Sequence, residues 1–138
     1  GSQPGVRRMS VEARSTLVVE SGKSSQGRLE ISTNPPWSVR LAWGDKEYSA
    51  EEADLFECLT TIRRSLDALG IKVCCAGARS DVYPSGMSSQ MSGGRKAYIH
   101  RAGARPTMED LVDIFDPAEP EIVVTVAEQR SAVRRRLE

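Results

Sequence analysis

The segment from residue 77 to residue 96 holds the side chains best suited to contact a ligand or a partner. Arginine offers a rigid fork of donors to carboxylate or phosphate, tyrosine offers a rigid amphipathic face, and glycine permits close backbone approach. A stretch of this length without a regular pattern is unusual inside a compact domain, and such loops often carry function. The candidate binding residues are Arg79, Asp81, Tyr83, Ser85, Gln90, Arg95 and Lys96.

A structural interpretation of the same segment remains open. Met87 and Met91 are four residues apart, so one helical turn could hold both against the core. The sequence Tyr-Pro-Ser-Gly at residues 83–86 is also ordinary turn chemistry. The loop is therefore either a contact surface or a connection packed on a sheet.

Known catalytic and cofactor motifs do not fit this sequence. The glycine-rich run that ends in residues 93–96 lacks the spacing of a phosphate-binding loop, and Ser85 lies in no nucleophile elbow. The remaining candidate for catalysis is His100 with Cys74 or Cys75, although a lone histidine beside buried thiols is more often structural. We assign no catalytic residue and no cofactor.

The three cysteines fit neither a disulfide framework nor a metal centre. Cys58 stands alone, and the adjacent Cys74 and Cys75 would point to opposite faces of a strand. Because the adjacent cysteines cannot both serve one tetrahedral metal site in regular structure, we do not expect them to bind zinc with His100, the single histidine. Free buried thiols, no apolar run of membrane-spanning length and no signal pattern predict a cytoplasmic protein without a membrane partner.

Charge is balanced in total but segregated along the chain. There are 19 Lys and Arg against 19 Asp and Glu, which argues against a nucleic-acid partner. Residues 77–105 hold five basic side chains and one acid, whereas residues 109–121 hold six acids and no base. A basic stripe could draw a small anionic ligand, and an acidic rim could meet a basic protein. Alternatively, each run is a solvated face.

A chain of 138 residues suits one domain. Residues 1–14 are predicted to be a disordered tail, because Gly1-Ser2 resembles a cloning remnant. The single domain is expected to span residues 15–138.

Two kinds of periodicity place the elements of that domain. Alternation, β-rich composition or a short apolar run predicts strands at residues 16–20, 28–32, 37–43, 46–48, 71–75 and 95–101. Ser49 and Glu52 form a capping-box pattern, so a helix is expected from Ala50 to Leu69. Residues 111–115 and 122–124 fit either strand or helix. A last helix follows the similar box at Thr125 and Glu128.

These elements predict an α+β fold. An antiparallel-rich sheet should be covered on one face by the long central helix, with a C-terminal helix packed nearby.

Three stretches also carry a resemblance: Gly77–Met87 (GARSDVYPSGM), Gly94–Tyr98 (GRKAY) and Asp110–Phe115 (DLVDIF). With them, the chain from about Trp37 to Gln129 resembles a family of small, uncharacterised bacterial single-domain proteins. Because no activity is established for that family, the resemblance implies no catalytic residue. In size and α/β make-up the chain is also similar to the immunity proteins of bacterial contact-dependent and polymorphic toxin systems.

The function expected from the sequence is non-catalytic binding of another protein. The chain would act as an inhibitor or immunity-type partner and would cover its target with the 77–96 loop. The alternative is a small enzyme or a nucleotide- or anion-binding domain that uses the same loop.

Overall fold

In the part of the chain that the structure describes, two antiparallel sheets and two α-helices make up an α+β fold, as the sequence predicted. The computed structural model describes residues 10–84 and 93–137. Of the helices in this part of the chain, none combines the length and the apolar character that crossing a membrane requires.

The larger sheet has five strands in the order β4-β3-β2-β1-β5, and all neighbouring strands run antiparallel. The strands are β1 (Val11–Glu20), β2 (Lys23–Ser32), β3 (Trp37–Trp43), β4 (Lys46–Glu52) and β5 (Ile71–Cys74). The smaller sheet is β6 (Val82–Tyr83), β7 (Lys96–Ile99) and β8 (Leu111–Asp113), in the order β6-β7-β8. Helix α1 (Leu55–Asp67) lies between β4 and β5 in sequence, and α2 (Val126–Leu137) follows the smaller sheet. Short 3₁₀ helices occupy Ala76–Ala78, Met108–Asp110 and Pro120–Ile122.

The core lies between one face of the larger sheet and the apolar face of α1. Alternation along β3 buries Val39 and Leu41, which stand opposite Ile31 and Leu29 on β2. The helical stripe predicted from the sequence is buried against them, with Leu55, Leu59, Ile62 and Leu66 all removed from solvent.

The predicted N-terminal boundary is wrong. Strand β1 begins at Val11, four residues inside the expected tail, and pairs with β2 along its whole length. The side chain of Arg14 forms ion pairs with Asp113 (3.3 Å) and Asp116 (3.2 Å). Residues 11–14 therefore connect the larger sheet to the smaller one. The sequence did not predict this role, because the segment has few apolar side chains.

The predicted start of the central helix is also wrong. Ser49 belongs to β4, where it stands opposite Arg40, and the helix begins at Leu55. Its N-cap is Asp54, whose carboxylate accepts a hydrogen bond from the Glu57 amide at 2.8 Å. Residues 49–52 pair with β3 instead of capping a helix, because β4 continues the hairpin that the turn at residues 44–45 starts.

We expect Asp54→Ala to lower the free energy of unfolding by about 0.5–2 kcal/mol, since the helix loses its N-cap acceptor. Ser49→Ala is the matched control and should change stability by less than about 0.5 kcal/mol, as an exposed strand position usually does. Urea denaturation of both variants measures the difference. A larger loss of stability in Ser49→Ala than in Asp54→Ala would indicate that Ser49, and not Asp54, caps the helix.

The structure also resolves the two ambiguous segments. Residues 111–113 form β8, and residues 120–122 form a 3₁₀ helix, after which Val123 makes an isolated bridge to Arg79. The predicted box at the start of α2 is confirmed. The Thr125 amide donates to the Glu128 carboxylate at 2.9 Å, and the Glu128 amide donates to the Thr125 hydroxyl at 3.1 Å.

Candidate protein-binding surface

The first part of the 77–96 segment is packed into the fold. The Gly77 amide donates to the Ile114 carbonyl at 2.8 Å, and a Cβ on Gly77 would lie 2.6 Å from Leu59 Cδ2. This close approach requires glycine. Residues 82–83 then join the smaller sheet as β6. The candidates Ser85 and Gln90, like Met87 and Met91, lie outside the described residues.

A single buried amide holds this packed part in place. Gln129 on α2 is 1% exposed, and the two hydrogens of its Nε2 are shared among the carbonyls of Gly77 (2.9 Å), Arg79 (2.8 Å) and Val82 (2.9 Å). One side chain thus contacts three backbone acceptors of this segment, sharing the Gly77 carbonyl with Arg63 and the Arg79 carbonyl with the Val82 amide. It fixes the path of the chain from the 3₁₀ helix to β6.

The other end of the same amide holds a buried arginine. Arg63 on α1 is 2% exposed and donates to Gln129 Oε1 (2.6 Å), the Gly77 carbonyl (3.2 Å) and the Val124 carbonyl (2.7 Å). Burial lowers the pKa of Arg63, but an arginine stays protonated at neutral pH. Arg63 and Gln129 therefore join α1, α2 and the candidate segment in one polar network.

Arg79 and Asp81 form a bidentate ion pair. Arg79 Nε and Nη2 donate to the two carboxylate oxygens at 2.8 and 2.7 Å, and both side chains are about a quarter exposed. Burial acts to raise the pKa of Asp81, but the hydrogen bonds and charge of Arg79 outweigh it and lower the pKa. The pair presents a rigid and neutral unit at the surface.

Tyr83 has a structural role. Its ring meets Phe56 edge-on with the ring centroids 5.5 Å apart, and its carbonyl oxygen lies 3.0 Å from His100 Nε2. Truncating Tyr83 would therefore remove core contacts.

Arg95 lies in a different cluster from Arg79. Its guanidinium pairs with Glu12 at 2.7 Å and Asp113 at 2.9 Å, and it lies over the Phe115 ring at 5.7 Å. Lys96 begins β7 directly opposite Asp113. The five described candidates are thus divided between the β6 side and this ion-pair cluster. Because Arg79, Arg95 and also Arg101 each pair with an acid, the basic stripe expected from the sequence is largely neutralised.

Beside Arg79, the surface opens into a groove of about 580 Å³. Its walls are the outer face of β1, the neighbouring part of β2, Cys74 and the connection after β8. The lining residues are Ser15, Thr16, Leu17, Gln26, Cys74, Arg79, Pro117, Ala118, Glu119, Pro120 and Ile122. Leu17 and Ile122 stand out here as exposed large apolar side chains, at 37% and 40% of their surface. We call this feature the Leu17–Ile122 groove.

The connection after β8 is fixed against the edge of β5, which makes the groove a stable feature. The Ala118 amide donates to the Cys74 carbonyl at 3.2 Å, and Cys75 forms an isolated antiparallel β-bridge with Pro117. Lys72 Nζ donates to the Pro120 carbonyl at 3.2 Å. Prolines suit this path because they fix the backbone and donate no amide hydrogen.

The thiols and the histidine are not arranged as a nucleophile and its base. Burial raises the pKa of Cys74 and raises that of Cys75 to about 12, so both stay protonated at neutral pH. His100 follows β7, and its Nε2 lies beside the Tyr83 carbonyl. This geometry gives no support to the cysteine–histidine candidate.

Sequence reasoning missed the residues that organise this surface. Arg63 lies four residues after Leu59 and three before Leu66, so its position on the apolar stripe was a readable sign of burial. Leu17 and Ile122 carried no such sign, because their exposure depends on how β1 and the connection after β8 meet.

The geometry has to support any function by itself. Neither a protein-family model nor a curated protein matches this chain.

Proposed function

We propose that this chain is a small protein-binding domain that covers part of another protein with the Leu17–Ile122 groove and the adjoining Arg79–Asp81 pair. The observation that carries the proposal is the pair of exposed apolar side chains that line a groove with a polar rim. Protein interfaces commonly combine an apolar centre with a polar border. The proposal keeps Arg79 as a contact residue and moves the centre of the surface to β1.

The rim favours a partner of particular chemistry. Arg79 is neutralised by Asp81, whereas Glu119, which lines the groove, is exposed. A partner loop with an apolar anchor flanked by lysine or arginine would fill the groove and meet the acidic side of its rim. We therefore take the partner to be a protein with a basic contact surface.

An inhibitor or immunity-type action is the form of binding that we propose. Such a protein acts by occupying a surface of its target, which needs complementary shape and charge and no reacting group. The rigid attachment of the groove walls supports this form, because a preorganised surface loses little conformational entropy on binding. The resemblance to bacterial immunity proteins in size and make-up points the same way.

Anion binding by the same segment is the weaker alternative. A phosphate or carboxylate ligand would have to compete with Asp81 for Arg79, and with Glu12 and Asp113 for Arg95. Breaking such charge-assisted pairs would offset much of the gain from a new anion. An enzyme built on these arginines meets the same obstacle.

A crosslinking experiment tests the proposal. A photoreactive amino acid at position 122 of the full chain should capture one protein partner in the native host, and the same group at the exposed Arg28 should not. Against the purified partner, Leu17→Ser combined with Ile122→Ser should weaken binding by at least about tenfold in calorimetry, since the partner would no longer bury two apolar side chains.

Met108→Ser is the matched control, because Met108 is an apolar side chain 68% exposed outside the groove. It should bind the partner as the parent does. Equal weakening by Met108→Ser and by the groove variant would contradict the proposal, as would unchanged affinity of the groove variant with a normal melting temperature.

A further inference from the structure

The two edges of the larger sheet differ. Strand β5 forms one edge, and its backbone is covered by the bonds from residues 117–118 to Cys74 and Cys75. Strand β4 forms the other edge. Within residues 10–84 and 93–137, β4 pairs with β3 on one side. No described strand pairs with the outward side of residues 47–51.

The hairpin register identifies which backbone groups face outward. Trp43 and Lys46 flank a two-residue turn with Gly44 at φ +56°, so they exchange hydrogen bonds as the first pair of the ladder. Such pairs alternate along an antiparallel ladder. The N–H and C=O groups of Glu47, Ser49 and Glu51 therefore point away from β3.

The side chains beside this edge define a charge pattern. Glu47, Ser49 and Glu51 are exposed on the outer face, while Tyr48 and Ala50 are half-buried on the inner face. Arg40 pairs with Glu47, but it also pairs with Glu30, so one cation stands against two carboxylates and this face stays net negative. A strand laid along β4 would place alternate side chains against these two faces. Residues that match the outer face should be basic, and residues that match the inner face should be apolar.

A second copy of this chain fits the edge poorly. Antiparallel pairing of two β4 strands about Ser49 would place Glu47 opposite Glu51 in both halves of the pair. Like charges directly opposite one another destabilise a sheet. The carboxylates thus keep identical edges apart and leave the edge open to a basic strand.

We propose that β4 is a docking edge that takes up an extended strand of another protein, in which lysine or arginine alternates with apolar residues. Main-chain hydrogen bonds to Glu47, Ser49 and Glu51 would supply affinity, and the carboxylates would select the basic partner. This edge is separated from β1 by two strands, roughly 14 Å at the usual strand spacing. The inference therefore goes beyond the groove and does not depend on it.

A synthetic peptide of alternating lysine and valine is the probe, with alternating glutamate and valine as its charge-reversed counterpart. The full chain should bind the lysine peptide at least about tenfold more tightly. Bound peptide should slow hydrogen exchange at the Ser49 and Glu51 amides. Equal binding of both peptides, or no binding of either, would overturn the proposal.

Two variants test the mode of docking. Ser49→Pro removes an outward N–H without removing a bond to β3, so it should abolish peptide binding, whereas Ser49→Ala should retain it. If the proline variant has a lower melting temperature than the parent, the double variant Glu47→Lys with Glu51→Lys tests the docking mode instead. This variant should prefer the glutamate peptide. Retention of the lysine preference would overturn the proposal, as would a β4-dependent dimer in ultracentrifugation.

The groove variant separates this inference from the proposed function. Leu17→Ser with Ile122→Ser should bind the lysine peptide as the parent does. Loss of peptide binding in that variant would place the peptide in the groove and overturn the docking edge. Failure of the groove proposal alone would leave the peptide result unchanged.

Discussion

Gln129→Ala should destabilise the protein by at least about 2 kcal/mol, because two buried groups each lose a partner at about 1–3 kcal/mol. The Val82 carbonyl loses the donor Nε2 and Arg63 loses the acceptor Oε1, whereas the Gly77 and Arg79 carbonyls each keep another donor. A buried cation with one acceptor removed adds to the loss. The free energy of unfolding from urea titration measures the effect.

Arg130→Ala is the control for this result. Arg130 is the next residue on α2 and is exposed, so its truncation should change stability by less than about 0.5 kcal/mol. A loss below about 1 kcal/mol for Gln129→Ala would contradict the bonding network that we describe, since unpaired buried carbonyls cost more than that.

The second large effect is expected in the core. Leu59→Ala or Ile62→Ala should each lower stability by about 2–5 kcal/mol, because a buried aliphatic side chain is replaced by a cavity. Leu59 also packs against the Gly77 backbone, so its loss reaches the wall of the candidate segment.

Thermal melts of both core variants measure this effect beside Arg64→Ala, an exposed position on the same helix. The Arg64 variant should melt close to the parent. Core variants that melt within about a degree of the parent would refute the buried stripe, because 1 kcal/mol shifts the melting temperature of such a domain by several degrees.

The fold was largely predictable where local pattern and tertiary pairing agree. Alternation in residues 37–43 correctly predicted a strand, and the apolar stripe from Leu55 to Leu66 correctly predicted a helix. In both, one buried face determines the spacing of apolar residues. The pattern at Ser49 failed because a strand partner competes with a local cap, and a sequence window does not include that partner.

The candidate site was less predictable, because it depends on contacts across long sequence separations. Arg79 pairs with an acid two residues away, which the sequence places nearby, but Arg95 pairs with Glu12, 83 residues away. Leu17 and Ile122 line one groove although they lie near opposite ends of the sequence. No periodicity carries that information.

The burial of all three cysteines gives the protein an internal indicator of its own opening. Cys58, Cys74 and Cys75 are buried, and burial raises the pKa of each thiol, with that of Cys58 at about 11. Alkylating reagents attack exposed thiolates, so they react with these positions when the fold transiently opens around them. The modification rate of each cysteine thus reports the local opening equilibrium of β5 or α1, and no label has to be engineered into the chain.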